Sequence, residues 1–106
     1  GPGIAAALAR SAAQLREDAD ALDALTPETN DVAELAALEP ALRARALKRW
    51  AERACGQAVT AAHVQALRRL VEDWHGQGPV ALPGGVRAVR AGERLVTDPR
   101  RRPTDG

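Results

Sequence analysis

Apolar residues recur at helical spacing through the first quarter of the chain. Over residues 4–25, leucine and isoleucine return at intervals of three and four with alanine between them, which places them on one side of a helix. The stripe is narrow, so we expect this helix to pack along a single line against another element or a second copy of the chain. Pro27 disfavours helical backbone at Thr26, and the pattern ends there.

The middle of the chain predicts a short helix followed by a longer one. Asp31 with Glu34 three residues later is typical of a capping box, which would open a short helix to Leu38. Pro40 suits the first turn of the next helix, which should run to about residue 54 and end near Gly56. Its apolar face is expected to hold Leu42, Ala46, Leu47, Trp50 and Ala54.

One more helix and a set of short strands complete the pattern. Thr60 is a good N-cap for a helix to about His75. The apolar face of that helix is expected to hold Val64, Leu67, Leu70, Val71 and Trp74. Three β-type runs follow at residues 80–82, 86–90 and 94–97, separated by turns that contain glycine. The predicted fold is mainly α: a four-helix arrangement (one long helix, one short, two basic and amphipathic) followed by a small β-meander or hairpin.

We expect residues 4–97 to form a single domain. Gly1-Pro2-Gly3 resembles the remnant of a removed fusion tag, and residues 98–106 are expected to form a flexible basic tail. No apolar run is long enough to cross a membrane. The single Cys55 suits a reducing compartment, so we expect a cytoplasmic location.

Composition indicates a thin core. Alanine accounts for 24 residues, against 21 for valine, isoleucine and leucine together, and alanine buries little apolar area. Trp50 and Trp74 are the only aromatic residues. We therefore expect both to be largely buried and to anchor the core.

The net charge of +1 conceals a strong asymmetry along the chain. Residues 1–39 hold two basic and eight acidic residues, whereas residues 40–106 hold thirteen basic and six acidic ones. Such a distribution favours one surface that attracts polyanions. Twelve of those thirteen are arginine, whose planar guanidinium suits bidentate contacts with phosphate.

The basic residues of the second half are the candidate nucleic-acid contacts. On the two amphipathic helices and the hairpin they are Arg43, Arg45, Lys48, Arg49, Arg53, Arg68, Arg69, Arg87, Arg90 and Arg94. Arg43 falls within an apolar arc, so it should snorkel outward or meet an acidic partner. The simpler alternative is that high-GC coding replaces lysine with arginine and that these side chains are merely solvated; composition alone leaves both interpretations open.

Little in the chain favours catalysis or metal binding. Cys55, His63 and His75 are the only soft ligands, and no pair of them has zinc-type spacing. His63 lies on an apolar arc and is expected to be a partly buried structural residue. The phosphate-loop patterns GxxxxGK[ST] and GxGxxG are both missing. We therefore predict no catalytic residue, no metal site and no cofactor in this chain.

Three stretches carry a family resemblance. They are LREDADAL at residues 15–22, the pair Asp31-Val32 followed by PALRARALKRW at residues 40–50, and LPGGV at residues 82–86 followed by Arg90 and Leu95. In this order and spacing they resemble the region that follows the catalytic domain in the tRNA(Ile)-lysidine synthetase (TilS) family.

The resemblance implies a role beside a larger enzyme. Members of this family are ligases that use ATP and magnesium to join lysine to the wobble cytidine of the isoleucine tRNA with a CAU anticodon. The family's SGGxDS ATP loop is absent from this sequence, so the resemblance implies a non-catalytic accessory domain that binds tRNA beside the parent's catalytic domain. It places tRNA contacts at Arg43, Arg45, Lys48, Arg49 and Arg90, and less directly at Arg53, Arg87 and Arg94.

Two other classes of function remain open at this stage. The domain could be a structural brace or a homodimer contact through residues 4–25, without direct contact to RNA. It could instead be a helical nucleic-acid module of an unrelated regulator. If RNA binds, we expect Arg45, Lys48 and Arg49 at the centre of a phosphate-contacting patch, with Arg90 and Arg94 at its rim.

Overall fold

Four helices and then three strands follow one another along the chain. The computed structural model describes residues 11–98, with side chains from residue 16 onward, so the predictions for residues 1–10 and 99–106 lie outside the described residues. The elements are α1 (Ser11–Leu25), α2 (Val32–Ala37), α3 (Pro40–Cys55), α4 (Ala61–Glu72), β1 (Val80–Ala81), β2 (Arg87–Ala91) and β3 (Arg94–Asp98). This order confirms the predicted mainly α fold with a small C-terminal meander. No helix within residues 11–98 is both long and apolar enough to span a membrane.

Leucines from four elements meet at the centre of the domain. Leu35, Leu47, Leu67, Leu70 and Leu95 are fully buried, and they come from α2, α3, α4 and β3. Leucine fills this space with more apolar area than the abundant alanines can, so it supplies most of the hydrophobic stabilisation. Trp50 packs against this cluster from its edge and is half-buried.

Helix α1 lies outside this core. It contributes no described side chain to the buried cluster and packs mainly against α3. Of the predicted apolar stripe, Leu22 is half-buried and Leu25 is 69% exposed. The stripe residues Ile4, Leu8 and Leu15 lie outside the described side chains. The described part of α1 is therefore a peripheral helix whose stripe is only partly covered by α3.

The start of α2 is capped as predicted, but through one additional residue. The Asp31 carboxylate accepts the Glu34 backbone N–H at 3.0 Å, which is the first half of a capping box. The Glu34 carboxylate does not reach back to Asp31; it accepts the Thr29 hydroxyl, whose oxygen in turn accepts the Asp31 N–H at 3.0 Å. Thr29 thus relays the second half of the box.

Helix α4 ends earlier than the predicted boundary at His75. It begins at the predicted Thr60 cap, where the His63 ring completes a capping box, and it ends at Glu72. The Gln77 carboxamide donates to the backbone carbonyls of Arg69 and Asp73 at 3.2 and 3.1 Å. The Arg69 carbonyl also accepts the Asp73 backbone N–H, which is the last helical bond of α4, so the Gln77 side chain closes the end of the helix.

The early end of α4 overturns one of the two predicted core anchors. Trp74 follows the helix instead of continuing its apolar face, and it is 41% exposed. The expectation that Trp74 is largely buried is therefore wrong. The prediction assumed helical backbone beyond Glu72, which would have placed Trp74 on the apolar face of α4. The backbone at Trp74 is not helical, so the side chain does not continue that face.

The three strands form an antiparallel sheet in the order β1-β2-β3. At the turn between β1 and β2, the Leu82 N–H donates to the Val86 carbonyl at 2.8 Å. Gly84 in this turn has a φ of 79°, and a Cβ there would lie 2.7 Å from Nε2 of Gln57, in the loop after α3. The LPGG stretch is thus a tight turn that also approaches the end of α3 closely.

The sheet is attached to the loop before α2. The Asn30 side chain donates to the Leu95 carbonyl at 2.8 Å, and the Leu95 N–H donates to the Asn30 carbonyl at 2.9 Å. The Val32 N–H donates to the Glu93 carbonyl at 2.8 Å. These bonds hold residues 30–32 beside β3 and place that loop next to the basic helix α3.

Candidate nucleic-acid interface

Helix α3 turns most of its basic side chains towards the C-terminal end of α1. Together the two helices line a shallow depression with four basic and two acidic side chains, which are Arg45, Lys48, Arg49, Arg53, Asp23 and Glu52. The three basic residues that the helical wheel predicted to share one solvent face, Arg45, Lys48 and Arg49, do lie together here. We call these four basic side chains the α3 cation cluster.

The arginines of the α3 cation cluster already have partners within the chain. Arg45 forms an ion pair with Asp23 at 2.8 Å, and Arg53 binds both carboxylate oxygens of Glu28 at 2.8 and 2.6 Å. Arg49 donates to the backbone carbonyls of Thr26 and Asp23 at 2.7 and 2.9 Å. The guanidinium of Arg49 thus covers the C-terminal end of α1, where the Asp23 carbonyl also accepts the Thr26 backbone N–H.

Lys48 differs from its neighbours in the cluster. Its side chain is exposed, and it makes no ion pair or hydrogen bond with any residue that the structure describes. The carboxylates of Asp23 and Glu28 offset the charge of two arginines, so Lys48 is the cation most available to an incoming anion. The cluster still carries a net positive charge, since only Glu52 adds a further negative one.

Arg43, one turn earlier on α3, points into the molecule. Its guanidinium donates to the carbonyls of Leu35, Ala36 and Leu38 at 2.9, 3.0 and 2.8 Å. It also forms an ion pair with Glu72 on α4 at 2.5 Å, and its side chain is only 14% exposed. The expected acidic partner is therefore present, and Arg43 ties three helices together instead of facing solvent.

The same contact changes the acidity of Glu72. Hydrogen bonding from Arg43 is the largest influence and lowers the pKa of the Glu72 carboxyl, burial raises it, and the ion pair with Arg68 at 3.0 Å lowers it further. The net result is a pKa below the ordinary value of 4.5. Glu72 is therefore ionised in the folded domain at neutral pH, and its carboxylate can pair with both Arg43 and Arg68.

Arg68 and Arg69 lie next to each other on α4 but differ in their contacts. Arg68 is half-buried and shares Glu72 with Arg43. Arg69 is exposed, and its side chain has no partner among residues 16–98. Arg69 lies at the C-terminal end of α4, near the loop that contains Trp74.

The hairpin arginines lie in three separate settings. Arg87 pairs with Asp98 across the two strands at 3.1 Å. Arg94 donates to the Asn30 side chain at 3.3 Å, and Asn30 lines a second depression together with Arg49 and Arg53. The structure therefore brings Arg94 close to the loop that borders the α3 cation cluster, as the predicted rim requires.

Arg90 is directed elsewhere. It donates to the carbonyls of Leu70 and Gly92 at 3.0 and 2.9 Å and pairs with Glu93 at 3.3 Å, with only 11% of its side chain exposed. Its guanidinium carbon lies 5.1 Å from the centre of the Trp74 ring. Arg90 thus belongs to the end of α4 and not to the rim of the α3 cation cluster, because its backbone partners hold it there.

The residues considered for other chemistry serve local structure. The His63 ring nitrogen Nδ1 accepts the Thr60 N–H at 2.9 Å, which is a capping contact. The Cys55 thiol donates to the Gln57 carbonyl at 3.4 Å. Within residues 16–98, no three His, Cys, Asp or Glu side chains converge in an arrangement that could hold a metal ion.

Sequence reasoning missed the contacts of three residues that organise this region. Thr29 and Asn30 connect the cap of α2 to β3, and the Gln77 side chain bonds a carbonyl at the end of α4. The clearest signal that could have been read is TPETND at residues 26–31, where a proline and several capping-type residues come together. The partner of Asn30 is distant along the chain, so no local pattern could have indicated it.

Comparison with known proteins gives one consistent result. Residues 31–96 match a family model described as the TilS substrate binding domain. The tRNA(Ile)-lysidine synthase of Thermobifida fusca is 47% identical over 91% of this chain and 33% of its own length. The enzymes of that name from Streptomyces coelicolor and Leifsonia xyli are 43% and 42% identical over 91% and 93% of this chain, and over 31% and 34% of their own lengths.

The chain spans about a third of the length of the curated relatives it matches. No solved structure was found to match it. The matched residues run from the Asp31 cap of α2 into β3 and so include the five core leucines, α3 and most of the hairpin. Because this model covers more than half of the chain, the chain belongs to the TilS family, and residues 31–96 correspond to its substrate-binding domain.

Proposed function

We propose that this chain is the tRNA-binding accessory domain of a tRNA(Ile)-lysidine synthase. In this role it helps to hold the isoleucine tRNA with a CAU anticodon while the parent's catalytic domain adds lysine to the wobble cytidine. ATP and magnesium serve that catalytic domain, and the domain proposed here, residues 4–97 with the basic tail 98–106, supplies no catalytic group. The observation that carries the proposal is the match of residues 31–96 to a domain described as substrate binding.

The α3 cation cluster is the surface that we assign to the tRNA backbone. Lys48 has no partner among the described side chains, residues 16–98, so a phosphate reaches it without displacing any of their ion pairs. The pair between Arg53 and Glu28 is exposed on both sides, and exposed pairs of this kind contribute about 0–1 kcal/mol. A phosphate that replaces Glu28 therefore loses little, and it gains the same bidentate geometry.

The ten basic residues named from the sequence have different parts under this proposal. Arg45, Lys48, Arg49 and Arg53 contact phosphate, with Arg94 at the edge of the same surface, while Arg69 lies on a different one. Arg43 and Arg90 act by support, because carbonyl groups of the chain and one carboxylate each hold their guanidinium groups. Arg68 and Arg87 remain in ion pairs at the sides of the domain.

Phosphate contacts of this kind bind tRNA without reading its sequence. Each contact releases condensed counterions, so affinity should fall steeply as salt rises. Specificity for one tRNA would come from its shape and from the catalytic domain. We therefore expect weak, salt-sensitive binding by this chain alone.

The test is a double variant that leaves the arginines supporting α1 in place. Lys48→Ala with Arg53→Ala removes two positive charges without touching Arg45 or Arg49. We expect weaker binding of the isoleucine tRNA and a log–log salt slope that is shallower by roughly two units, one for each contact. Anisotropy titration of labelled tRNA at low and moderate salt measures both quantities.

The matched control keeps the charges and exchanges the side chains, Lys48→Arg with Arg53→Lys. We expect its salt slope to equal that of the wild type, because the number of charges at the surface is unchanged. Circular dichroism confirms that both variants are folded. A folded double-alanine variant with wild-type affinity and slope would contradict the assignment of this surface to tRNA.

A second candidate function is a structural brace or a homodimer contact without RNA. The observation that favours it is the number of cluster arginines already bound to the end of α1, together with the exposed Leu25 on that helix. Under this alternative the arginines fasten α1, and its stripe over residues 4–25 contacts another subunit. Sedimentation equilibrium of the wild type and a Leu22→Glu, Leu25→Glu variant tests the homodimer contact, which predicts a dimer that the variant abolishes.

A further inference from the structure

Trp74 is an exposed indole on a well-defined support. It is 41% exposed and lies just past α4. The loop around it is held by the Gln77 carboxamide, which accepts the His75 N–H at 2.8 Å and donates to the carbonyls of Arg69 and Asp73. A ring attached to a fixed loop loses little conformational freedom on binding, and it therefore suits recognition of a flat partner.

One side of the indole is already occupied. The guanidinium of Arg90 lies over the Trp74 ring, 5.1 Å from its centre. Arg90 cannot easily move away, because the carbonyls of Leu70 and Gly92 and the carboxylate of Glu93 hold it. A cation in this position favours one orientation of the ring, and it leaves the face opposite Arg90 as the one on which a flat partner would stack.

The charges around the ring favour a neutral flat group at the indole itself. Asp73 precedes Trp74 in the chain, and Glu93 lies beside Arg90. These carboxylates disfavour a phosphate directly on the ring. Arg69, by contrast, is exposed and without a partner among the described residues, at the end of the helix that carries the loop. An unstacked nucleotide places a neutral base and a charged phosphate side by side, which fits this arrangement.

We propose that Trp74, backed by Arg90, is a stacking site for an unpaired base of the bound RNA, with the adjoining phosphate near Arg69. The inference rests on the proposed function, since it gives the same RNA a second contact on a separate surface from the α3 cation cluster. It also gives Arg90 a definite part as a positioning residue that holds the ring. Stacking of a base on an aromatic side chain tolerates any base, so the site recognises an unpaired nucleotide and not a sequence.

The probe is a short unstructured RNA strand, compared with an RNA duplex of the same length that has no unpaired base. Trp74→Leu keeps an apolar side chain and removes the aromatic face. We expect this variant to bind the single strand about tenfold more weakly than the wild type, as the loss of one stacked base predicts. Its affinity for the duplex should equal that of the wild type. Trp74→Phe, which keeps a flat ring, should recover most of the lost affinity.

Fluorescence provides a direct second measurement. A stacked base quenches indole emission, so the single strand should quench the wild type more than Trp74→Leu, whose remaining emission comes from Trp50. Arg90→Met removes the guanidinium behind the ring, and we expect it to reduce the affinity for the single strand while the affinity for the duplex is unchanged. A change in both affinities would indicate a general effect on folding and would contradict the positioning role of Arg90.

The outcomes separate this inference from the proposed function. If Trp74→Leu has the same affinity for the single strand as the wild type and shows equal quenching, base stacking is wrong. The exposed ring would then serve contact with a protein partner. If the wild type does not bind the single strand at low salt, base stacking is also wrong. Failure of the proposed function appears elsewhere, as unchanged tRNA binding when Lys48 and Arg53 are replaced.

Discussion

The inner and outer sides of helix α3 carry the same charge in opposite settings. On the inner side, Arg43 is 14% exposed and donates to three carbonyls and to Glu72. On the outer side, Lys48 is exposed and meets no partner in the described structure. The difference shows that a count of basic residues does not measure a binding surface, because some of those residues hold the domain together and only the others can meet a ligand.

The largest expected effect is a loss of stability when the buried arginine on the inner side of α3 is removed. Arg43→Ala leaves three carbonyls and a carboxylate without their guanidinium, and hydrogen bonds to charged groups are strong. We expect it to lower the free energy of unfolding by about 3 kcal/mol, measured by urea denaturation. Lys48→Ala is the matched change on the outer side, and we expect it to stay within about 0.5 kcal/mol of the wild type. Equal losses from the two variants would contradict the distinction between the sides.

A smaller effect, on tRNA affinity, is expected when an acidic residue that pairs with the outer side of α3 is neutralised. Asp23→Asn removes the carboxylate that neutralises Arg45, so that arginine becomes available to phosphate. We expect tRNA affinity to rise by about two- to fivefold, the range that an exposed ion pair of this strength allows. Asp20→Asn is the control, because it removes the same charge from an exposed position of α1 outside the depression. An equal gain from both variants would mean that net charge, and not the α3 cation cluster, governs binding.

The smallest expected effect is the pH dependence of stability that Glu72 gives to the inner side of α3. Because the pKa of Glu72 is lowered in the folded domain, its ionised form stabilises the fold at pH values above about 4.5. That contribution is lost as the pH falls below 4.5 through the lowered pKa, where the carboxylate takes up a proton and loosens its hold on Arg43 and Arg68. Glu72→Gln should be less stable than the wild type at neutral pH, and the difference should shrink in acid. Thermal unfolding between pH 3 and pH 7 measures it; a difference that stays constant would contradict the shifted pKa.

Much of the fold was accessible from local patterns. The caps at Asp31 and Thr60, Pro40 in the first turn of α3 and the glycine after it all lie where expected. The two turns of the meander were also predicted. These features depend on residues within a few positions of one another, so their physical causes are visible in the sequence.

The prediction failed where a distant or side-chain contact decided the outcome. Trp74 was expected inside because the wheel of α4 was continued past its true end at Glu72, where the Gln77 side chain donates to the Arg69 and Asp73 carbonyls. Arg90 was expected beside Lys48 because both are basic and the hairpin follows the last helix. Its actual position depends on the Leu70 carbonyl and on the Trp74 ring, which no local pattern indicates.

The sequence by itself determined the order of the helices and strands, the asymmetry of charge and the family resemblance. Each of these follows from residue type and spacing along the chain. Only the tertiary structure decided which arginines face inward, that Lys48 and Arg69 stand free among the described residues, and that one of the two tryptophans is exposed. The reason is that the availability of a charge or a ring depends on which backbone carbonyls and carboxylates come within hydrogen-bonding distance after folding, and those groups come from distant parts of the chain.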